Sequence, residues 1–128
     1  MSDKVVLVID DDKDVCKTIK DALERLGTFQ VMTASNGKDG FRMAKRSLPN
    51  LVLLDIDMPN MDGFKVLELL KNDAKTFAIP VVMLTGKRDD VSKIAAARLY
   101  SEEYLTKPIG MLDLKEKIDN ILAKLGIQ

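Results

Sequence analysis

Four short apolar runs in this chain each end in a polar residue. Val5–Ile9 leads into Asp10, Asp11 and Asp12, and Leu51–Leu54 stops at Asp55. Val81–Leu84 stops at Thr85, and Tyr104–Thr106 leads to Lys107 and Pro108. Segments of helical periodicity lie between these runs, and that alternation predicts a parallel α/β sheet with helices on both faces. In such a sheet ligands gather outside the carboxyl ends of the strands. One fold inference therefore brings several carboxylates, a hydroxyl and an ammonium to a single edge.

The helices between the strands can be read from their apolar spacing and their punctuation. Lys13 to Leu26 carries Val15, Ile19, Ala22, Leu23 and Leu26 on one face, and Gly27 is expected to end that helix as a C-terminal glycine. Phe29 to Ala34 is a less apolar strand, expected at an edge of the sheet. Asn36-Gly37 turns into a helix with Phe41 and Ala44 inward, closed before Pro49. The run Leu51 to Asp55 is apolar up to its last residue, as a central parallel strand should be. Asp62 is placed to cap a helix through Leu70, with Val66, Leu67 and Leu70 facing in. Asp89 or Asp90 should start a fourth helix ending near Leu99, a weak amphipath with three consecutive alanines and therefore light packing. Met111, Leu114, Ile118, Ile121, Leu122 and Leu125 form the inward stripe of a fifth helix.

Composition removes whole classes of chemistry. The 128 residues suffice for one domain, read as spanning 1–128 with no output domain. Lys plus Arg and Asp plus Glu each number 20, so net charge favours neither nucleic acid nor an anionic membrane. No apolar stretch approaches a membrane span and no signal peptide fits the amino end, which predicts a cytoplasmic protein. Cys16 is the only cysteine and sits in a helical apolar pattern, so it is expected to be an inert thiol. With no histidine at all, imidazole catalysis, imidazole zinc sites and phosphohistidine on this chain are excluded. What remains is carboxylate, hydroxyl and amine chemistry, with oxygen ligands for a hard cation.

Each strand end taken alone is a weak signal. An Asp triplet after a strand is often a turn and helix cap, Thr85-Gly86 an ordinary turn, and Lys107-Pro108 a solvated loop end. Jointly they describe a phosphoryl site. Clustered carboxylates repel and need a cation, and Mg²⁺ accepts one or two of them while leaving room for phosphate. A carboxylate can attack phosphorus to give an acyl phosphate. An ammonium such as Lys107 and a hydroxyl such as Thr85 can stabilise charge on the transferred oxygens. Gly86, without a side chain, would leave the approach open.

With these motifs in this order, the chain resembles the receiver domains of two-component response regulators, from Lys4 to about Leu125. The matching pieces are Val8-Ile9-Asp10-Asp11-Asp12, Leu54-Asp55-Ile56-Asp57-Met58-Pro59 with Met61-Asp62-Gly63, Leu84-Thr85-Gly86, and Tyr104-Leu105-Thr106-Lys107-Pro108. The resemblance implies a flavodoxin-like (βα)5 fold with strand order 2-1-3-4-5. It implies that Asp55 accepts a phosphoryl group from a phosphohistidine on a sensor histidine kinase or histidine phosphotransfer protein, without substrate turnover. Asp11 and Asp55 would ligate Mg²⁺, with Mn²⁺ as a substitute. The backbone carbonyl of Asp57 would complete the protein ligands, and Asp10 would hold a metal-bound water. Thr85 and Lys107 would contact the phosphoryl oxygens, and Tyr104 would fill the space that Thr85 vacates. The face made by the fourth helix, fifth strand and fifth helix would then engage a downstream protein. The resemblance also implies a cis Lys107-Pro108 bond, and it leaves a phosphorylation-dependent homodimer open.

The chain departs from the family pattern where Tyr100-Ser101 replaces a common Gly-Ala, which puts the usual end of the fourth helix in doubt. Gly110 stands where a better N-cap is common. Asp57 and Lys87 each lie two residues beyond a key position. A pair between them across the pocket mouth would slow hydrolysis of the acyl phosphate, and Lys87→Ala would then shorten its lifetime. Two other readings stay open. Asp55-Ile56-Asp57 has the Asp-x-Asp pattern of haloacid-dehalogenase-like phosphatases, although here it follows the third strand. A receiver-like binding module that works without phosphorylation would usually have lost the acceptor, the acidic pair or the lysine.

Overall fold

Burial explains the strands. Leu51–Asp55 and Val81–Thr85 are buried at every position, as strands covered on both faces must be. In the computed structural model, which describes residues 3–86 and 91–126, five strands alternate with five helices. The first half contains β1 (Lys4–Ile9), α1 (Lys13–Leu26), β2 (Phe29–Ala34), α2 (Gly37–Ser47) and β3 (Leu51–Asp55). The second contains α3 (Gly63–Lys71), β4 (Val81–Thr85), α4 (Val91–Tyr100), β5 (Glu103–Thr106) and α5 (Met111–Lys124). All strand pairs are parallel and the order is β2-β1-β3-β4-β5, the expected flavodoxin-like arrangement. No helix among the described residues is long and apolar enough to cross a membrane.

Alternation along the strands divides the core in two. Val6, Val8, Leu51, Leu53, Val82, Leu84 and Leu105 pack with residues of α1 and α5. Leu7, Ile9, Val52, Leu54, Val81 and Met83 point the other way, to α2, α3 and Ala97 of α4. The register sets Asp55 beside Leu84 and Thr85 beside Thr106, so the polar strand ends share one edge.

Helix ends follow local chemistry, with two surprises. Asp12, Asn36 and Asp62 cap α1, α2 and α3, each carboxylate or amide oxygen accepting backbone N–H groups. Gly27 closes α1, but with extended backbone (φ −152°) and not the left-handed turn expected of a terminal glycine. Its smallness is what matters: a Cβ there would lie 2.7 Å from the Phe29 ring. The left-handed cap falls instead on Leu48, at φ 46° and ψ 62°, after α2. Leu48 is 54% exposed and buries little. Leu48→Gly should therefore stabilise the fold by about 1 kcal/mol, relieving the Cβ–carbonyl clash of that conformation. A rise in the urea midpoint with unchanged slope would show it, and a fall would contradict it.

The doubt over the end of α4 is resolved by Ser101. Its N–H donates to the Ala97 carbonyl at 2.8 Å, and its hydroxyl donates to the same oxygen. Ser101 thus closes the helix directly after Tyr100, which stands where glycine is common. Of the α4 side chains described, only Ala97 is buried, which fits light packing. Asp89 and Asp90, the expected starters of this helix, lie outside the described residues.

The open edge at β2 is guarded. Glu24 of α1 accepts the Val31 N–H at 3.1 Å, while Lys20 donates to the Val31 carbonyl at 2.9 Å and to Glu24 at 2.9 Å. One i,i+4 pair thereby occupies both backbone groups that Val31 would offer to a foreign strand. The Val31 amide should exchange about tenfold faster with solvent in Glu24→Ala. An unchanged rate by NMR would show that the clamp does not protect it.

Candidate functional site

Among the described residues, three carboxylates and one ammonium meet beyond the carboxyl ends of β1, β3 and β5. Asp10 follows β1, and Asp55 is the last residue of β3. They are 2% and 4% exposed, so both are held in the protein interior. Asp11, one residue further, is exposed. One oxygen from each of these three side chains lies within 4.8 Å of the others. Lys107, just past β5, donates to Asp10 Oδ2 and to Asp55 Oδ1, both at 3.0 Å. The Lys107 N–H also donates to the Thr85 carbonyl at 2.6 Å, which ties the lysine to the end of β4. The Lys107–Pro108 bond is cis.

The loop after β3 is built to be tight. The Ile56 carbonyl accepts N–H groups from both Met58 and Gly63 at 3.1 and 2.9 Å. Gly63 lies against the backbone behind the acceptor: a Cβ there would meet the Asp55 carbonyl and sit 2.7 Å from Ile56 Cα. Only glycine permits α3 to begin so close to Asp55.

Burial dominates the electrostatics. It pushes the Asp55 carboxyl up to about 6, a rise that the Lys107 hydrogen bond opposes and the nearby Asp10 charge assists. Burial alone would lower the Lys107 ammonium, but its hydrogen bonds to Asp55 and Asp10 outweigh that and hold it above the usual lysine range. The single ammonium thus offsets only part of the repulsion in the pocket. Cys16 is inert for a related reason. Burial and the acidic neighbours raise its thiol to about 11, and its S–H donates to the Asp10 carbonyl at 3.3 Å.

The donor set suits a hard divalent cation. Asp10, Asp11 and Asp55 would offer it carboxylate oxygens gathered within 4.8 Å, the hard donors that Mg²⁺ takes. The Asp57 carboxylate is not part of this cluster, and its side chain is half-buried in the loop after β3. Thr85 is buried at the end of β4, with Gly86 exposed and open space where a Cβ would stand. Tyr104, on β5, is half-buried beside the core under α3 and α4. Lys87, the expected partner of Asp57, lies outside the described residues.

Two features escaped the sequence reading. Asp10 Oδ1 accepts the Asp12 N–H at 2.9 Å, which orients the buried carboxylate toward Lys107 with its other oxygen. Arg98 lies over the Tyr104 ring, 5.2 Å from its centroid. The first could have been found from the Asp-x-Asp turn spacing, whereas the second had no local signal.

Comparison with known proteins identifies the family. The family model of the response regulator receiver domain matches residues 6–119. Protein PilH of Pseudomonas aeruginosa is 37% identical over 118 residues, covering 92% of this chain and 97% of that protein. The alkaline phosphatase synthesis transcriptional regulatory protein PhoP of Bacillus subtilis is 32% identical over 97% of this chain, which spans only 50% of PhoP. Among solved structures, a CheY-like response regulator receiver domain protein from Methanospirillum hungatei superposes with a TM-score of 0.86 at 31% identity, over 98% of each chain. The acidic pocket, its bridging lysine and these relationships together make the chain a member of the response regulator receiver family, the phosphorylation-dependent signalling domains of two-component systems.

Proposed function

We propose that Asp55 is the phosphoryl acceptor of this chain and that the donor is a phosphohistidine on a sensor histidine kinase or a histidine phosphotransfer protein. The observation that carries the reading is the ion-paired cluster itself: Asp10, Asp11 and Asp55 within one 4.8 Å group, with Lys107 bridging two of them. Asp11 and Asp55 would hold Mg²⁺ or Mn²⁺ through their carboxylates and Asp57 through its backbone carbonyl, with Asp10 beside them. When bound, the cation neutralises the carboxylates and draws off charge that builds on the transferred oxygens.

The chain's own residues do the rest. Lys107 keeps Asp55 ionised in a buried place and is positioned to pair with the incoming phosphoryl oxygens. Thr85 ends β4 on the same edge, and its hydroxyl would donate to one of those oxygens. Gly86 leaves the entry clear. Drawing Thr85 inward opens room that the Tyr104 ring fills, which biases α4, β5 and α5 as an output face for a downstream protein. This is a switch that modifies itself once per cycle, not a turnover enzyme.

Intact-mass spectrometry after incubation with Mg²⁺ and acetyl phosphate tests the reading. One added phosphoryl group is expected, decaying with time, absent with chelator and absent in Asp55→Asn. An adduct that survives in Asp55→Asn would assign the acceptor elsewhere. Steady release of phosphate from an ester substrate would instead favour a phosphatase built on Asp55-Ile56-Asp57.

A further inference from the structure

Among the described side chains of α4, Ala97 is buried while Ala95, Arg98, Leu99 and Tyr100 are exposed. Arg98 is nonetheless engaged. Its guanidinium carbon stands 5.2 Å from the centroid of the Tyr104 ring, within the range at which a cation is attracted by an aromatic face. The ring packs against the core cluster that includes Leu54, Met83 and Ala97, and its hydroxyl oxygen is sheltered from solvent. The ring is therefore held between an apolar core within and a guanidinium above. A planar, delocalised cation is weakly hydrated and loses little by stacking there, which a lysine ammonium does less well.

We propose that Arg98 is a latch on Tyr104: its guanidinium keeps the ring seated and fixes the carboxyl end of α4 to β5. The latch rests on the proposed switch only for its coupling to Asp55, because a seated ring is the arrangement that an occupied acceptor site would favour. By linkage, a residue that favours the seated ring must favour a phosphoryl group at Asp55 by the same factor. An exposed cation–aromatic pair supplies a factor of about two to five. Arg98 touches neither the carboxylates nor the entering group, so it is a positioning residue.

The composition makes the test clean. The chain has two tyrosines and no tryptophan, so in a Tyr100→Phe background all tyrosine fluorescence comes from Tyr104. Tyr100 is 58% exposed, and phenylalanine keeps its ring. In chelator, without any phosphoryl donor, acrylamide should quench Tyr104 at least about twofold more in Arg98→Met, which keeps the aliphatic stem but loses the cation. Arg98→Lys should fall between the two. Equal quenching in the parent and Arg98→Met would overturn the latch, whatever the site does with phosphate. Beryllofluoride with Mg²⁺ then probes the coupling: its affinity should fall about two- to fivefold in Arg98→Met. A changed quenching with unchanged beryllofluoride affinity would sever the latch from the switch. No beryllofluoride binding in the parent would overturn the proposed acceptor site, while the quenching result would still decide the latch.

Discussion

In chelator at pH 7, Asp55→Asn should be more stable than the parent by about 3 kcal/mol, although the same change would remove the proposed phosphoryl adduct. The reason is the buried charge. Asp55 has its carboxyl raised from 3.8 to about 6 in the fold, chiefly by burial. A carboxyl raised on folding binds its proton more tightly in the native state. Its contribution is thus fully favourable below the unfolded value and is lost as pH climbs through the folded one. The metal-free parent should accordingly lose stability between about pH 4 and pH 6 and level off above. Asparagine cannot ionise, so the variant lacks that decline, and the difference between the two proteins should vanish near pH 3.5. Urea titrations across this range measure the effect directly. A difference of constant size at every pH would mean that the ionised carboxylate is not its source. Saturating Mg²⁺ should narrow the gap, because the cation binds the folded parent and relieves the same charge.

Lys107→Met should do the opposite. Methionine keeps much of the aliphatic stem and deletes the one cation that, among the described residues, is bonded to Asp10 and Asp55, which are 2% and 4% exposed. Breaking a buried ion pair on one side leaves an uncompensated charge. Here the loss should be about 2–3 kcal/mol at pH 7, less than a fully interior pair, because the lysine side chain is 29% exposed and Asp55 can take up a proton. Below pH 6 that proton should restore much of the loss. Added Mg²⁺ should stabilise this variant more than it stabilises the parent, since the pocket's repulsion is then relieved by the metal alone. Thermal melts with and without Mg²⁺ decide this, and equal Mg²⁺ stabilisation of both proteins would refute it.

Much of this arrangement could be read from the sequence because it depends on periodicity and on short-range caps. The caps at Asp12, Asn36 and Asp62 fall where the residues place them, and the inward stripe of α1 holds at Ile19 and Leu23, whereas Leu26 at the helix end is 40% exposed. The convergence of Asp10, Asp55, Thr85 and Lys107 follows from one global fact, that parallel strands end on the same edge. The shortfalls have physical causes. Leu48 adopts a left-handed cap that favours glycine, so packing of the α2–β3 turn overrides local preference. Gly27 is small for the sake of Phe29 and not for its backbone angles. The Lys20–Glu24 grip on Val31 and the Arg98–Tyr104 stack join residues whose meeting depends on how helices lie on the sheet. Their sequence spacing carries no such information.

The bridge made by Lys107 also orders events in time. It stands 97 residues after Asp10 and 52 after Asp55, and a ribosome delivers those carboxylates long before the lysine. Until β5 has been made, the acidic strand ends lack the lysine that, among the described residues, bridges them. Among the described residues, the ammonium that bridges the pocket therefore joins it only once the chain has passed β5.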